Sequence, residues 1–102
     1  MSARMDPRER ILLAWSRLDE ASYYDLLSID RGDDRAALQR AFHRFALAYH
    51  PDRHVELDDA MRDKARAMFQ RGVEAYTVLR NERYASHYAE RFAKGALRLT
   101  PE

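Results

Sequence analysis

Three histidines and one aspartate lie close together near the middle of the chain: His43, His50, Asp52 and His54. Imidazole and carboxylate groups are ligands for zinc and related metals. Pro51 stands between His50 and His54, however, and proline ends a helix, so these two histidines cannot share one helical face as the paired ligands of a helical metal site do. Cysteine is absent, so no thiolate can complete such a site. A metal site is therefore the weaker interpretation, and we expect no metal and no other cofactor.

The tripeptide His50-Pro51-Asp52 also has a conformational consequence. Proline fixes its own φ, lacks an N–H and moves the preceding residue out of the α region, so a helix that reaches Tyr49 has to end at His50. His50 and Asp52 would then be held at a rigid corner, where the Asp52 carboxylate can bind a guanidinium group. From the tripeptide alone, an ordinary turn remains the alternative.

The segment before this corner carries an excess of positive charge. Between residues 35 and 54, four arginines stand against one aspartate, which gives about +3 in a chain whose formal net charge is +1. Leu47 lies on the same helical face as these cations, which favours a docking surface over a merely solvated face. The residues of the predicted partner-binding surface are Arg40, His43, Arg44, Leu47, His50, Pro51, Asp52 and Arg53.

The same cations leave a second interpretation open, a small helical protein that binds nucleic acid. Its contacts would come from Arg35, Arg40, Arg44 and Arg53. Binding of that kind needs a strong positive field, because phosphate contacts dominate the affinity. The acidic residues elsewhere bring the whole chain close to neutrality. We therefore expect a protein partner and no nucleic acid.

The elements that position these residues are all predicted to be helices. A chain of 102 residues forms one hydrophobic core, and a composition with 46% hydrophobic residues and only three glycines and three prolines favours an all-α fold. Apolar residues recur at helical spacing from about 34 to 49 and from about 58 to 79, which predicts two long antiparallel helices joined by the loop at His50. Gly72 lies on the apolar face of the second helix, where we expect it to allow close packing.

Shorter helices should flank this hairpin. Asp6 and Pro7 form a typical helix start. The apolar stripe predicted for this first helix consists of Ile11, Leu12, Trp15 and Leu18. Further along we predict a short helical turn at 22–27, a last helix at 82–94 that stops at Gly95, and a frayed segment at 96–102. The predicted organisation is an accessory amphipathic helix at 1–20, a central domain at 21–94 and a C-terminal tail at 95–102.

No apolar run in the chain has the length that a membrane requires. The longest, residues 11 to 15, is too short to span a bilayer or to form the core of a signal peptide. The absence of cysteine is consistent with a reducing compartment. We therefore expect a cytoplasmic protein without a membrane partner.

Four motifs, in the same order, resemble the J-domain family over about residues 22 to 90. Tyr23-Tyr24-Asp25-Leu26-Leu27 is similar to the opening element of that family, and Arg40-Ala41-Phe42-His43-Arg44-Phe45-Ala46 is similar to its basic second helix. Tyr49-His50-Pro51-Asp52-Arg53 matches its hallmark loop, and Phe69 with Glu74-Ala75-Tyr76-Thr77-Val78-Leu79 matches the end of its third helix. The resemblance implies a helical hairpin with the loop at its tip.

This resemblance also implies a cochaperone and not an enzyme. J-domains dock on the ATPase of a DnaK-type chaperone and trigger the ATP hydrolysis that locks a client in place. Carried over by position, the trigger would be His50, Pro51 and Asp52, and the docking face would be Arg40, His43, Arg44 and Leu47. Phe42 and Phe69 would flank this face, with core packing as the expected role of both.

The sequence departs from the family pattern mainly in the last helix. Tyr84 and Ala85 replace the usual Lys-Arg pair, and Ala89 replaces the usual aspartate. These departures leave open a J-like scaffold that binds a partner without activating an ATPase. The N-terminal helix lies outside the resemblance. It would be either an extra helix packed on the domain or an adaptor for a client or a second protein.

Overall fold

A computed structural model describes residues 6–99, and within them the chain is all-α, as its composition predicts. The α-helices of these residues are α1 (Pro7–Ser16), α2 (Tyr23–Leu27), α3 (Arg35–Tyr49), α4 (Asp59–Leu79) and α5 (Glu82–Ala93). Single 3-10 turns, Leu18–Glu20 and Pro51–Arg53, follow α1 and α3. The ends of the predicted accessory helix and tail, 1–5 and 100–102, lie outside the described residues. None of the helices described is long and apolar enough to cross a membrane.

Side-chain caps determine where each helix begins. In every case a side-chain oxygen of the residue before the helix accepts a hydrogen bond from a backbone N–H in the first turn. This bond satisfies a donor that has no partner inside the helix. The caps are Asp6, Ser22, Asp34, Asp58 and Asn81, which accept from Glu9, Asp25, Ala37, Met61 and Tyr84. The start predicted at Asp6 and those predicted near residues 34 and 58 are thereby confirmed.

Helices α3 and α4 form the predicted antiparallel hairpin. Arg35, at the start of α3, donates to the carbonyl oxygen of Arg80, just after α4, at 3.4 Å. Further along α3, the ring of Phe45 packs against the backbone of Gly72, which lies earlier on α4. A Cβ at position 72 would overlap this ring. The prediction that Gly72 allows the helices to approach closely is therefore confirmed.

Tyr23 and Tyr88 connect α2 to α5. Their rings stack with centroids 4.4 Å apart, and both residues are almost completely buried. The Tyr88 hydroxyl accepts a hydrogen bond from the Tyr23 backbone N–H at 3.0 Å and donates one to the carbonyl oxygen of Leu97 at 2.9 Å. These partners offset the cost of burying the hydroxyl group.

Residues 96–99 fold back over this tyrosine pair, so the prediction of a frayed segment is wrong for them. Leu99 donates its N–H to the Tyr23 hydroxyl at 2.9 Å, and that hydroxyl donates to Glu74 of α4 at 2.5 Å. Arg98 adds two hydrogen bonds to the same carboxylate, at 2.8 and 2.5 Å. Local sequence did not reveal this segment because its partners lie far away in the chain.

Helix α1 packs on α4. Ile11 is completely buried, and Arg8 binds the carboxylate of Asp58, the cap of α4, at 3.2 Å. The predicted stripe is only partly correct, because Leu12 is 40% and Trp15 41% exposed. Leu12 lies about 100° around the helix from Ile11. The helix also ends at Ser16, before the predicted end at Leu18, and Leu18 is buried from the 3-10 turn that follows.

Candidate functional site

The corner after α3 is built from backbone hydrogen bonds. His50 still donates its N–H to the carbonyl oxygen of Ala46 at 2.9 Å, but its φ of −62° and ψ of 126° take the chain out of the helix, as expected before proline. Arg53 and His54 then donate their N–H groups to the carbonyl oxygens of His50 and Pro51, both at 3.0 Å. The His-Pro-Asp tripeptide therefore lies on a fixed turn.

The His50 side chain strengthens this turn. Its Nδ1 accepts a hydrogen bond from the Asp52 N–H at 3.2 Å. Phe69 of α4 packs against the imidazole at a steep angle, with 4.8 Å between ring centroids. His50 is thus held by its own loop and by α4, while 42% of its side chain stays exposed.

Asp52 projects into solvent at this corner. Its side chain is 91% exposed, and its Oδ2 lies 3.9 Å from Nδ1 of His50, which is beyond hydrogen-bonding distance. Within residues 6–99 the carboxylate accepts no hydrogen bond, so both of its oxygens are available to a guanidinium group from outside. The fold itself gains little from this side chain.

The predicted docking face lies on the outer side of α3. Its residues, all exposed, are Arg40, His43, Arg44 and Leu47. The opposite side of the helix, with Ala41 and Phe45, is buried in the core. In the described part of the chain, Arg40, Arg44 and Arg53 form no salt bridge. Their charges are therefore available to carboxylates of a partner.

Phe42 and Phe69 lie behind this face, between the two long helices. Phe42 stacks on Tyr76 of α4, with 4.4 Å between centroids and 9° between ring planes. Its centroid is 6.4 Å from that of Phe69. Both phenylalanines are half-buried. Phe42 thus packs between the two helices of the hairpin, and Phe69 contacts the His50 ring from α4.

His54 is a positioning residue that sequence reasoning considered only as a metal ligand. It is 6% exposed, and its Nε2 lies 2.8 Å from the carbonyl oxygen of Ala48, on the last turn of α3. Its Nδ1 is buried without a hydrogen-bond partner among the described residues. His54 points inward whereas His43 and Asp52 are exposed, so these side chains do not converge. Residues 6–99 hold no group of three or more histidines, cysteines or carboxylates arranged for a metal ion.

The site is a projecting surface and not a cleft. A groove of about 550 Å³ lies at the other end of the hairpin, beside Arg35 and Arg80. A second groove lies between α1, α2 and Tyr49, and neither groove contains any of the predicted site residues. A surface of this shape suits the binding of another macromolecule, because small substrates are held in concave pockets.

Comparison with known proteins identifies the family. A family model described as the DnaJ domain matches residues 22–89. The chain is 38% identical over 79 residues to the chaperone protein DnaJ of Campylobacter jejuni, an alignment that covers 78% of this chain and 20% of that protein. It is 33% identical over 81 residues to an uncharacterized J domain-containing protein of Schizosaccharomyces pombe, with 79% and 22% covered. The chain thus spans about a fifth of the length of these relatives. No solved structure matches it.

The matched region contains every element of the site described above. It begins at the capping residue of α2 and includes the hairpin, the His-Pro-Asp corner and most of α5, whereas α1 precedes it. The motifs that predicted the resemblance therefore lie in the segment that the family model matches. The chain belongs to the DnaJ-domain, or J-domain, family.

Proposed function

We propose that this chain is a cochaperone that docks on the ATPase of a DnaK-type chaperone and stimulates its ATP hydrolysis. The observation that carries the proposal is Asp52, a carboxylate 91% exposed on a turn that backbone and imidazole hydrogen bonds fix. Family membership and relatives named chaperone protein DnaJ support it. The stimulated hydrolysis would serve protein folding or the delivery of a client.

Docking would combine electrostatic attraction with a small apolar contact. Arg40 and Arg44 carry charges that are not neutralised within the described residues, so they can steer the chain towards an acidic surface. Leu47, 46% exposed among them, would be buried on contact. At the corner, the two oxygens of Asp52 suit a bidentate hydrogen bond with an arginine of the partner.

Stimulation would be allosteric, and the chain would supply no reacting group. A bound protein accelerates a step only if it binds the state that reacts more tightly than the resting state. A rigid corner favours this, because binding then spends little free energy on ordering the loop. We propose on this ground that the chain is a regulator and not itself an enzyme.

Single-turnover ATP hydrolysis by a DnaK-type chaperone tests the proposal. Wild type is compared with Asp52→Asn and with Asp30→Asn, whose carboxylate is exposed beside the groove at the other end of the hairpin. We expect wild type and Asp30→Asn to stimulate hydrolysis and Asp52→Asn to fail, with equal circular dichroism spectra for all three. Stimulation by Asp52→Asn at the wild-type level would contradict the proposed mechanism.

A J-like scaffold is the second candidate function. Tyr84, at one of the positions where the family usually has a cationic pair, is 50% exposed on α5 and offers no positive charge to a partner. Binding to the chaperone without stimulation, by a folded wild-type chain, would favour this candidate. Binding of a client or second protein by α1, a cytoplasmic location and the absence of nucleic-acid binding stay predictions.

A further inference from the structure

The turn that follows the corner carries an unusual side chain at its tip. Val55 is 66% exposed and occupies the second position of a turn that the Leu57 N–H closes on the carbonyl oxygen of His54 at 3.1 Å. Such positions normally hold proline, glycine or a polar residue, because each suits the turn geometry or solvent. A branched apolar side chain that is this exposed contributes little to the fold and is free to contact a partner.

The buried His54 fixes the place of this valine. Its hydrogen bond to the Ala48 carbonyl oxygen, at 2.8 Å, holds the start of the turn against the last turn of α3. Ala48 directly follows Leu47, and His54 directly precedes Val55. Each exposed apolar residue is therefore the chain neighbour of one partner in this hydrogen bond, at the end of the hairpin that carries Asp52.

Cations border this apolar pair. Leu47 lies one helical turn from Arg44 on the outer face of α3, and Val55 follows shortly after Arg53. An apolar centre within a polar, charged border is the usual composition of a protein interface. The pair is also continuous with the proposed docking surface, so the occupant that it fits is the protein that binds Arg44 and Asp52.

We infer that Leu47 and Val55 form one apolar contact that holds the DnaK-type ATPase, while Asp52 triggers it. This inference rests on the proposed function. The matching surface on the ATPase would be a small apolar area with carboxylates beside it. The contact determines how tightly the chain binds, whereas Asp52 determines how fast the bound chaperone hydrolyses ATP. The turn after the tripeptide would then be part of the binding site and not a mere connection to α4.

The test measures binding and stimulation separately for wild type, Val55→Ser and Val73→Ser. Val73 is a matched control, since it is 38% exposed but lies on α4, outside the loop and the docking face. We expect Val55→Ser to weaken binding of the full chain to an ATP-loaded bacterial DnaK about five- to tenfold, while the hydrolysis rate at saturation stays at the wild-type value. Val73→Ser should equal wild type in both measurements. The factor by which the double variant Leu47→Ser with Val55→Ser weakens binding should differ from the product of the factors for the two single variants, because the two residues share one contact.

The outcomes separate this inference from the proposed function. If wild type binds and stimulates but Val55→Ser binds as tightly as Val73→Ser, the apolar contact is wrong and the proposed function stands. If wild type binds without stimulating, the binding comparison still decides the inference. If wild type does not bind at all, both proposals are overturned.

Discussion

The ring of Phe45 fills the space in which a side chain at Gly72 would begin. Three of its atoms, Cε1, Cδ1 and Cζ, lie closer to an ideal Cβ at that position than real Cβ contacts allow. The ring has little freedom to move away, since Phe45 is 5% exposed and packs on Tyr49 with 4.8 Å between centroids. Close packing of α3 on α4 therefore depends on the missing Cβ.

Gly72→Ala should lower the free energy of unfolding by about 1–3 kcal/mol, because the added methyl group overpacks the hairpin. Helix propensity acts in the opposite direction and favours alanine by about 1 kcal/mol. Urea denaturation measures the difference. The double variant Gly72→Ala with Phe45→Leu should lose less free energy of unfolding than the two single variants lose in sum, since the smaller side chain leaves room for the methyl group. Full additivity, or a Gly72→Ala variant as stable as wild type, would contradict this explanation.

Glu74 should make stability depend on pH. Burial acts to raise the pKa of this carboxyl, but the hydrogen bonds from Arg98 and Tyr23 outweigh it and lower the pKa below its usual value. A carboxyl with a lower pKa in the folded chain stabilises the fold above its unfolded pKa, and this contribution is lost as the pH falls through the folded pKa. Glu74→Gln should therefore be destabilising at neutral pH and approach wild type in acid.

Urea unfolding near pH 7 and near pH 3 measures this effect, with Glu90→Gln as the control. Glu90 is exposed on α5, and the described residues give its carboxylate no hydrogen bond. We expect a loss of about 1–3 kcal/mol for Glu74→Gln near pH 7, and a negligible loss for the control. A difference between Glu74→Gln and wild type that stays constant with pH would show that the ionised carboxylate contributes nothing.

Neighbouring residues on α1 should differ sharply in their effect on stability. Ile11→Ala removes a completely buried side chain from the contact with α4, and we expect a loss of about 2–5 kcal/mol. Leu12→Ala changes a side chain that is 40% exposed, so its loss should stay below about 1 kcal/mol. Thermal unfolding of both variants decides the question. Equal losses would mean that α1 does not pack on the domain in solution as it does in the structure.

Local signals in the sequence were sufficient for the helix starts and the hairpin, but not for the end of α1. Asp34 and Asp58 cap helices through groups only three residues away, and Pro51 acts on its own neighbours. The return of residues 96–99 depends instead on Glu74, which is distant in sequence and carries no local sign of its role. Contacts of that kind could not be predicted from periodicity.

In the site as well, helical spacing could be read from the sequence, whereas the contact of an individual side chain could not. Arg44 and Leu47 could be placed on an outer face because helical spacing determines which residues share a face. His54 could not be recognised as a positioning residue, because its partner is the backbone carbonyl of Ala48, and any residue type at position 48 would supply that oxygen. The metal interpretation of His54 followed from residue types that lie close together in the sequence, without the direction in which the ring points.

Loss of the His54 side chain should loosen the turn without unfolding the domain. His54→Ala removes a buried hydrogen bond and the ring that covers it, and we expect a loss of about 1–3 kcal/mol. His54→Gln can still donate an N–H to the Ala48 oxygen and should recover part of this loss. Hydrogen exchange of the Leu57 amide reports on the turn directly and should be faster in His54→Ala than in His54→Gln. Unchanged exchange in both variants would show that His54 does not hold the turn.

Charge reversal at Arg44 should weaken binding and reduce its dependence on salt. The residue is exposed on the proposed docking face without an ion pair among residues 6–99, so Arg44→Glu removes one attractive charge and adds a repulsive one towards an acidic partner. We expect the dissociation constant for a DnaK-type chaperone to rise at least about tenfold at low ionic strength and the gap to wild type to narrow as salt screens the charges. Arg83→Glu is the matched control, since Arg83 is exposed on α5. Equal effects of the two reversals would mean that net charge, and not the face of α3, attracts the partner.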